Sequence, residues 1–454
     1  MLRTECGIPH AAHWKAMRVF YSFSFALAAL LFFTAPSANA QIFARCGKSY
    51  QVGSNPTAVA LADLNGDGYP DIVTANTGAM GDPRQERPAN DEVSVLMSKA
   101  SLEYEAVPPL RADFAPYALA IANVDALKAP DIVVASFMAV RHNDLALFRN
   151  MGANVFEPHY FRTPDEKLAY CRMTNSSHEP VFTVPGLTSV ALGDFNKDSL
   201  RDAVATGWSS DIILFFPGTA DTYFGEPKTF PAPGGPRDIA AADFDGDGHL
   251  DLAATLYSAG DLALWKGDGA GGFEPAARFP ARGRLPGPLA VADMNRDGRL
   301  DLVVAHCHTD DSIVIFFGDG RFDFSVSQEI VLGTRRDVLE HEIRGILAAD
   351  LNQDQRPDIA AACHTSGQVV VFANQSENSS VPIAFKREAY SFDGARPRAI
   401  APADFNRDGA TDLAVALSSD NKVELLAGKP KPAGETEAKA KPSRETSKNR
   451  KTNP

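Results

Sequence analysis

Apolar and polar residues come in short bursts along most of this chain, and the bursts group in fours. Around residue 243 the pattern reads as a strand over 238–244, a second over 250–256, a third over 261–267, a glycine-rich reversal over 268–272 and a fourth strand over 273–281. Four antiparallel strands per unit make one propeller blade. The second strands are apolar on both faces, as in Ile72 and Val73, Leu302, Val303 and Val304, or Leu413, Ala414 and Val415. Blades sandwiched between blades require that.

The unit recurs, and a nine-residue loop marks it. Residues 243–251 read D F D G D G H L D, and the spacing returns as Asp63, Asn65, Asp67, Gly68 and Asp71; as Asp194, Asn196, Asp198 and Asp202; as Asp293, Asn295, Asp297, Gly298 and Asp301; as Asp350, Asn352, Asp354 and Asp358; and as Asp404, Asn406, Asp408, Gly409 and Asp412. A worn seventh copy has Asn123, Asp125, Leu127 and Asp131. First positions are 60, 71, 49, 50, 57 and 54 residues apart. A period near 50 with this strand grammar predicts an all-β, seven-bladed propeller over residues 41–428. The last unit stops at its third strand, 423–427, so residues 43–52 are expected to supply its fourth and close the ring.

The loop is a clamp for a hard cation. Ca²⁺ takes six to eight oxygen ligands, and Asp243, Asp245, Asp247 and Asp251 present carboxylates at positions 1, 3, 5 and 9, with Gly248 at position 6 free to turn with positive φ. An EF-hand would need a glutamate at position 12 and flanking helices, whereas position 12 is Ala254 between strands. These loops, with aromatic–glycine turns at 265–269 and 316–320, resemble the FG-GAP (VCBS) repeats of the integrin α-subunit propeller. The resemblance implies Ca²⁺ in loops between first and second strands on one rim, about six sites, with the family's ligands carried onto the Asp and Asn positions above. Ser199 and Gln355 replace the glycine at position 6, which predicts weaker sites. In the second blade Leu127 removes a carboxylate and Lys128 brings an ammonium, so no metal is expected there.

Charge and the two ends refine the picture. The 454-residue chain carries a net −13. Lys15 and Arg18 precede an apolar run over 19–34 and a small-x-small site at Ala38, Asn39 and Ala40, so residues 1–40 read as a signal peptide, with Met17 as an alternative start. No cysteine stands at the cleavage point to carry a lipid, and the run is short for a membrane span; a secreted or periplasmic protein is expected, without stable membrane insertion. Residues 429–454 are rich in Lys, Pro, Glu, Thr and Ser and read as a disordered tail. Without these basic ends the middle is near −20, which argues against nucleic acid and suits a body built around cations.

Beyond calcium, insertions at 76–92, 161–185 and 332–344 put irregular chain on the opposite rim, where the resemblance places ligand sites. Six residues past the last loop Asp, Phe137, Trp208 and Tyr257 form an aromatic arc for stacking sugar or peptide, or simply pack between blades. The next two blades carry His306, Cys307, His308, Cys363 and His364, which offer a zinc or copper site, a Cys307–Cys363 disulfide, or ordinary strand ends. His306, His308, Cys363 and His364 are expected to approach one another near the channel mouth, because they leave corresponding second strands of adjacent blades whose inner ends converge. Cys46 and Cys171 complete the mature cysteines, and four allow three pairings. His341, Glu342 and Arg344 have general acid–base chemistry, but no nucleophile with its base stands out. The sequence thus predicts a calcium-binding adhesion or binding module for an extracellular glycan or protein, with an extracellular polysaccharide lyase or hydrolase, or a structural envelope protein, as alternatives.

Overall fold

A strand that is apolar on both faces needs sheet on both sides, and a ring of sheets is the arrangement that gives every sheet two neighbours. The computed structural model describes residues 41–78, 91–125, 127, 129–138, 144–163, 173–174, 180–182, 186–307, 311–333, 340–379 and 381–430. Expectations for residues 1–40, the tail beyond 430, most of the three insertions, and Lys128, Cys171 and His308 lie outside the described residues.

Seven antiparallel blades follow one another, each laid out in the order first, second, third, fourth strand from the axis outward. Blade 4 is typical: Pro236–Ala242, Asp251–Leu256, Asp261–Gly267 and Phe273–Pro280. In blade 1 the outermost strand is split into Glu103–Ala106 and Leu110–Arg111, both paired to Glu92–Ala100. The seven first strands touch in chain order and the last, Pro397–Ala403, touches the first, Pro56–Ala62, so the ring closes. All seven second strands are buried from end to end. First strands are half-buried because one side faces an axial channel, and the outermost strands alternate toward solvent.

Among the described residues, seven apolar clusters lie each between successive blades, and a smaller one stands around Phe137. Each of the seven contains the residue at loop position 2 of the earlier blade: Leu64, Val124, Phe195, Phe244, Met294, Leu351 and Phe405. The loop therefore drives an apolar plug into the next interface. Phe195, for example, meets Phe273 of blade 4 edge-on at 5.7 Å, and Phe405 of blade 7 reaches Tyr104 of blade 1 at 6.4 Å.

Closure is as the sequence predicts. Phe43–Gln51 pairs antiparallel with Lys422–Gly428, from Phe43 opposite Gly428 to Gln51 opposite Lys422. Phe43 is fully buried among Leu426, Tyr390 and Phe392, and its backbone N–H donates to Tyr390 Oη at 3.0 Å. Across the seam, Arg407 of the last loop donates to the carbonyls of Asp67 and Gly68 and stacks 3.7 Å over Tyr69.

Phe43→Ala should lower stability by about 3–5 kcal/mol in a urea titration, because a buried phenyl leaves a cavity at the seam. Removing residues 41–53 from the mature protein should expose the edge of Lys422–Gly428 and cause aggregation. A truncated protein that stays monomeric and melts like the parent would contradict the closure.

Candidate functional site

Six loops share one hydrogen-bonded frame. The position-1 carboxylate accepts the position-5 N–H at 3.0–3.2 Å and the position-6 N–H at 2.7–3.0 Å. Position 5 accepts the N–H of position 7, as in Tyr69 to Asp67 at 2.7 Å. Positions 4 and 6 both turn left-handed, with Gly248 at φ 82°. Ser199 at 70° and Gln355 at 66° keep the same turn without glycine, a strain of roughly 1–3 kcal/mol each that the surrounding bonds must hold. The frame bunches the oxygens of positions 1, 3 and 5: Asp243, Asp245 and Asp247 lie within 4.8 Å of one another.

That donor set fits Ca²⁺, and the charges around it are graded. In four of the five loops with Asn at position 3, its amide donates to the position-5 carboxylate, as in Asn65 to Asp67 at 3.0 Å. Blade 4 alone has a third Asp there, and Lys266 from its third strand pairs with Asp245 and, at 2.8 Å, with Asp247. In blade 2 the equivalent strand position is Arg149, whose guanidinium pairs with Asp125. The cation expected in that blade at Lys128 is thus supplied, among the described residues, by Arg149.

Position 9 behaves differently from the other loop carboxylates. Asp71, Asp131, Asp202, Asp251, Asp301, Asp358 and Asp412 are all fully buried. In each, Oδ2 accepts the position-2 N–H at 2.7–3.1 Å. Oδ1 accepts an N–H from the end of the third strand at 2.5–2.9 Å. Burial raises these carboxyls, to about 6 in Asp71 and Asp412 and about 7 in Asp301 and Asp358, against the lowering effect of those two bonds. Position 9 thus clasps loop to sheet, and it does so even in blade 2, where Asn123 and Leu127 stand at positions 1 and 5.

The residues expected at the channel mouth divide. Phe137, Trp208, Tyr257, Cys307 and His364 are equivalent: each donates its backbone N–H to the residue just before its blade's first strand or one step earlier, as Trp208 does to Gly186 at 3.0 Å. Phe137 and Trp208 touch at 5.8 Å, and Phe137 meets Tyr117 at 5.7 Å. Tyr257 lies under the Arg237 guanidinium at 4.8 Å. Phe137 is buried with Ala115 and Met138 and packs on Trp208 of the next blade, so these two aromatics form a wall between blades 2 and 3.

His306 and Cys363 do not join that ring. They end second strands, one layer out from the axis: His306 is buried between Ser312 Oγ and the Ala281 carbonyl, both 3.1 Å from its ring nitrogens, and Cys363 packs against Ile313 and Ile343. Cys46, Cys307 and Cys363 are free thiols, so the Cys307–Cys363 disulfide is not formed. Among the described residues these His and Cys groups form no three-ligand cluster. Burial raises both inner thiols, Cys363 to about 12, which disfavours the thiolate that zinc or copper would need. Glu342 is occupied by Arg344, by Thr365 Oγ1 at 2.7 Å and by His364 Nδ1 at 3.3 Å, while His341 Nδ1 meets Ser366 at 3.0 Å.

A ring absent from the sequence reading lines the channel instead. In all seven blades the pairing of first to second strand slips after the first residue. The slipped residues include Thr57, Tyr117, Thr188, Arg237, Arg344 and Arg398, and all of them line the channel.

Asp131→Ala should cost about 2–5 kcal/mol, since two buried N–H groups lose their acceptor, and the loss should be the same in calcium and in chelator. Denaturant midpoints under both conditions check this; a cost that vanishes when calcium is withdrawn would contradict the clasp.

Residues 194–254, 252–304, 293–361 and 350–415 match the FG-GAP-like repeat, and residues 55–96 match the FG-GAP repeat. No curated protein matches the chain in sequence. Among solved structures, the chain is similar to BBS1N in a complex with ARL6DN soaked with lead, at 14% identity and TM-score 0.55 over 86% of this chain and 98% of that one. It is also similar to a streptogramin B lyase, at 15% identity and TM-score 0.53 over 84% and 97%. Virginiamycin B lyase from Staphylococcus aureus is similar at 12% identity and TM-score 0.53 over 84% and 98%. At such identities the likeness is one of fold alone.

Proposed function

Because the chain belongs to the FG-GAP repeat family and folds as a seven-bladed propeller, we propose that it is a secreted, calcium-stapled binding module that holds an extracellular glycan or protein on the rim opposite its acidic loops. The observation that carries the calcium half is the common frame of six loops, against a seventh whose carboxylate is paired with a guanidinium. When bound, the ion neutralises clustered carboxylates and ties each loop to its blade. Calcium binding in blade 4 requires Lys266, which is partly exposed, to leave Asp245 and Asp247.

The contact half rests on the opposite rim. A pocket of about 410 Å³ spans the last two blades and the first, lined by polar groups including Asn55, His364, Arg396, Ser418 and Asn421. Hydroxyl, amide and guanidinium groups on loops held by rigid sheets suit hydrogen bonding to a sugar or a peptide backbone. The groups with acid–base chemistry nearby, Glu342 and His341, are bonded to Thr365 and Ser366 of the turn after the second strand, which favours binding over turnover. Among the described residues no helix is long and apolar enough to cross a membrane.

Elemental analysis of the mature protein should find six Ca²⁺, and Asp245→Ala should find five. Chelation should lower the melting temperature, since binding free energy adds to folding free energy. One calcium or none would overturn the calcium half. On an array of extracellular glycans and proteins, retention without product release is expected, weakened about tenfold by Asn421→Ala, which removes the acceptor of the Asn55 N–H and one pocket wall. Release of polysaccharide fragments would replace the module reading with an enzyme.

A further inference from the structure

The slipped first-strand residues form a ring with a charge that nothing in the calcium or rim reading uses. A bulge redirects a side chain, and here seven bulges at one level surround a channel cavity of about 200 Å³, the one in blade 5 falling at Gly287 and Pro288 and adding no polar side chain. Three of the side chains are guanidiniums, from blades 4, 6 and 7. Arg237 Nη2 and Arg398 Nη2 donate to one oxygen, Tyr117 Oη, at 3.1 and 3.5 Å. Among the described residues neither has a carboxylate within ion-pair reach. Asp238 beside Arg237 is occupied: its oxygens accept from Ser189 Oγ at 2.6 Å, Ile239 N at 3.0 Å and Leu289 N at 2.9 Å. Arg344 shares Glu342, and its Nε is buried with no partner.

These groups are half-buried along the channel, with protein on every side, so their mutual repulsion is poorly screened. The effect is visible on the neighbours. Burial pushes the Tyr117 phenol up, but the three guanidiniums outweigh it and hold it below its ordinary value, while burial lowers Arg398. On a chain of net −13, a converging set of cations with too few anions is a built feature rather than a basic surface.

We propose that the axial channel is a binding site for a small oxyanion, a carboxylate or a tetrahedral sulfate or phosphate group, held by Arg237, Arg398 and Arg344 with the Tyr117 hydroxyl. Guanidiniums match such groups with paired N–H donors. The cavity has room for one such group and a few waters. Tyr117, placed between two of the arginines, aligns them before the anion arrives, and the walls formed by Phe137 and Tyr257 hold Tyr117 and Arg237 in place. The site is separate from the calcium loops, which follow the far ends of the same strands.

Calorimetric titration of the calcium-loaded mature protein with sulfate and with acetate, each against chloride at equal ionic strength, tests this; phosphate is avoided because calcium precipitates it. At least one oxyanion should bind with 1:1 stoichiometry where chloride does not, sulfate alone marking a tetrahedral preference and acetate alone a planar one. Arg398→Met should weaken it about tenfold or more, and should melt no lower than the parent in chloride because repulsion is relieved. Arg278→Met, which breaks the surface pair with Asp261 and a bond to the Pro233 carbonyl, both outside the channel, should bind as the parent does. Tyr117→Phe gives a second reading should Arg398→Met fold poorly, and crystals soaked in selenate should show an anomalous peak among the three arginines. No oxyanion preference in the parent, equal affinity in Arg398→Met, or no channel peak would each overturn the proposal.

Discussion

Everything in this propeller hangs on a carboxylate that water does not reach. The last aspartate of each loop receives one N–H from loop position 2 and one from the end of the third strand, in all seven blades. The first of these bonds fixes the residue that plugs the next interface, from Leu64 through Phe405. One side chain thereby ties loop, sheet and inter-blade packing together. Burying a carboxylate is costly unless its oxygens are bonded, and here both are. The outer loop carboxylates are then left exposed and bunched, a geometry that invites a divalent cation, and where the bunch is short of charge or in excess the third strand supplies Arg149 or Lys266.

The sequence made the blades, their number and the closing strand legible because each is repeated or is the missing member of a repeat. It made position 9 visible but not its role: an aspartate at that spacing reads as a ligand, and only its burial and two backbone partners reveal the clasp. It found Phe137, Trp208, Tyr257, Cys307 and His364 as equivalents, since all sit six residues past the loop. It missed Tyr117, Arg237 and Arg398, to which they are neighbours, and it singled out Arg344 only for acid–base chemistry, not as part of a channel ring. Those residues sit at bulges, whose side-chain direction breaks the two-residue alternation from which strand faces are read. His306 and Cys363 were expected near the axis on the ground that second strands converge; the first strands lie between them and it.

The two rims divide the chemistry by sign. Acidic loops leave the far ends of the first strands, whereas the guanidiniums enter the channel from the near ends, so a single strand such as Pro236–Ala242 has carboxylates beyond one end and a guanidinium near the other. The plugged interfaces keep both rigid, which is what a contact surface on loops requires.

Anomalous diffraction at long wavelength from crystals of the mature protein grown in calcium would test the central claim, that six shared frames hold calcium and the seventh does not. The account predicts six peaks on one rim, beside Asp63, Asp194, Asp243, Asp293, Asp350 and Asp404, and none beside Asp125, where Arg149 stands. Loops without peaks, or a peak between Asp125 and Arg149, would contradict it.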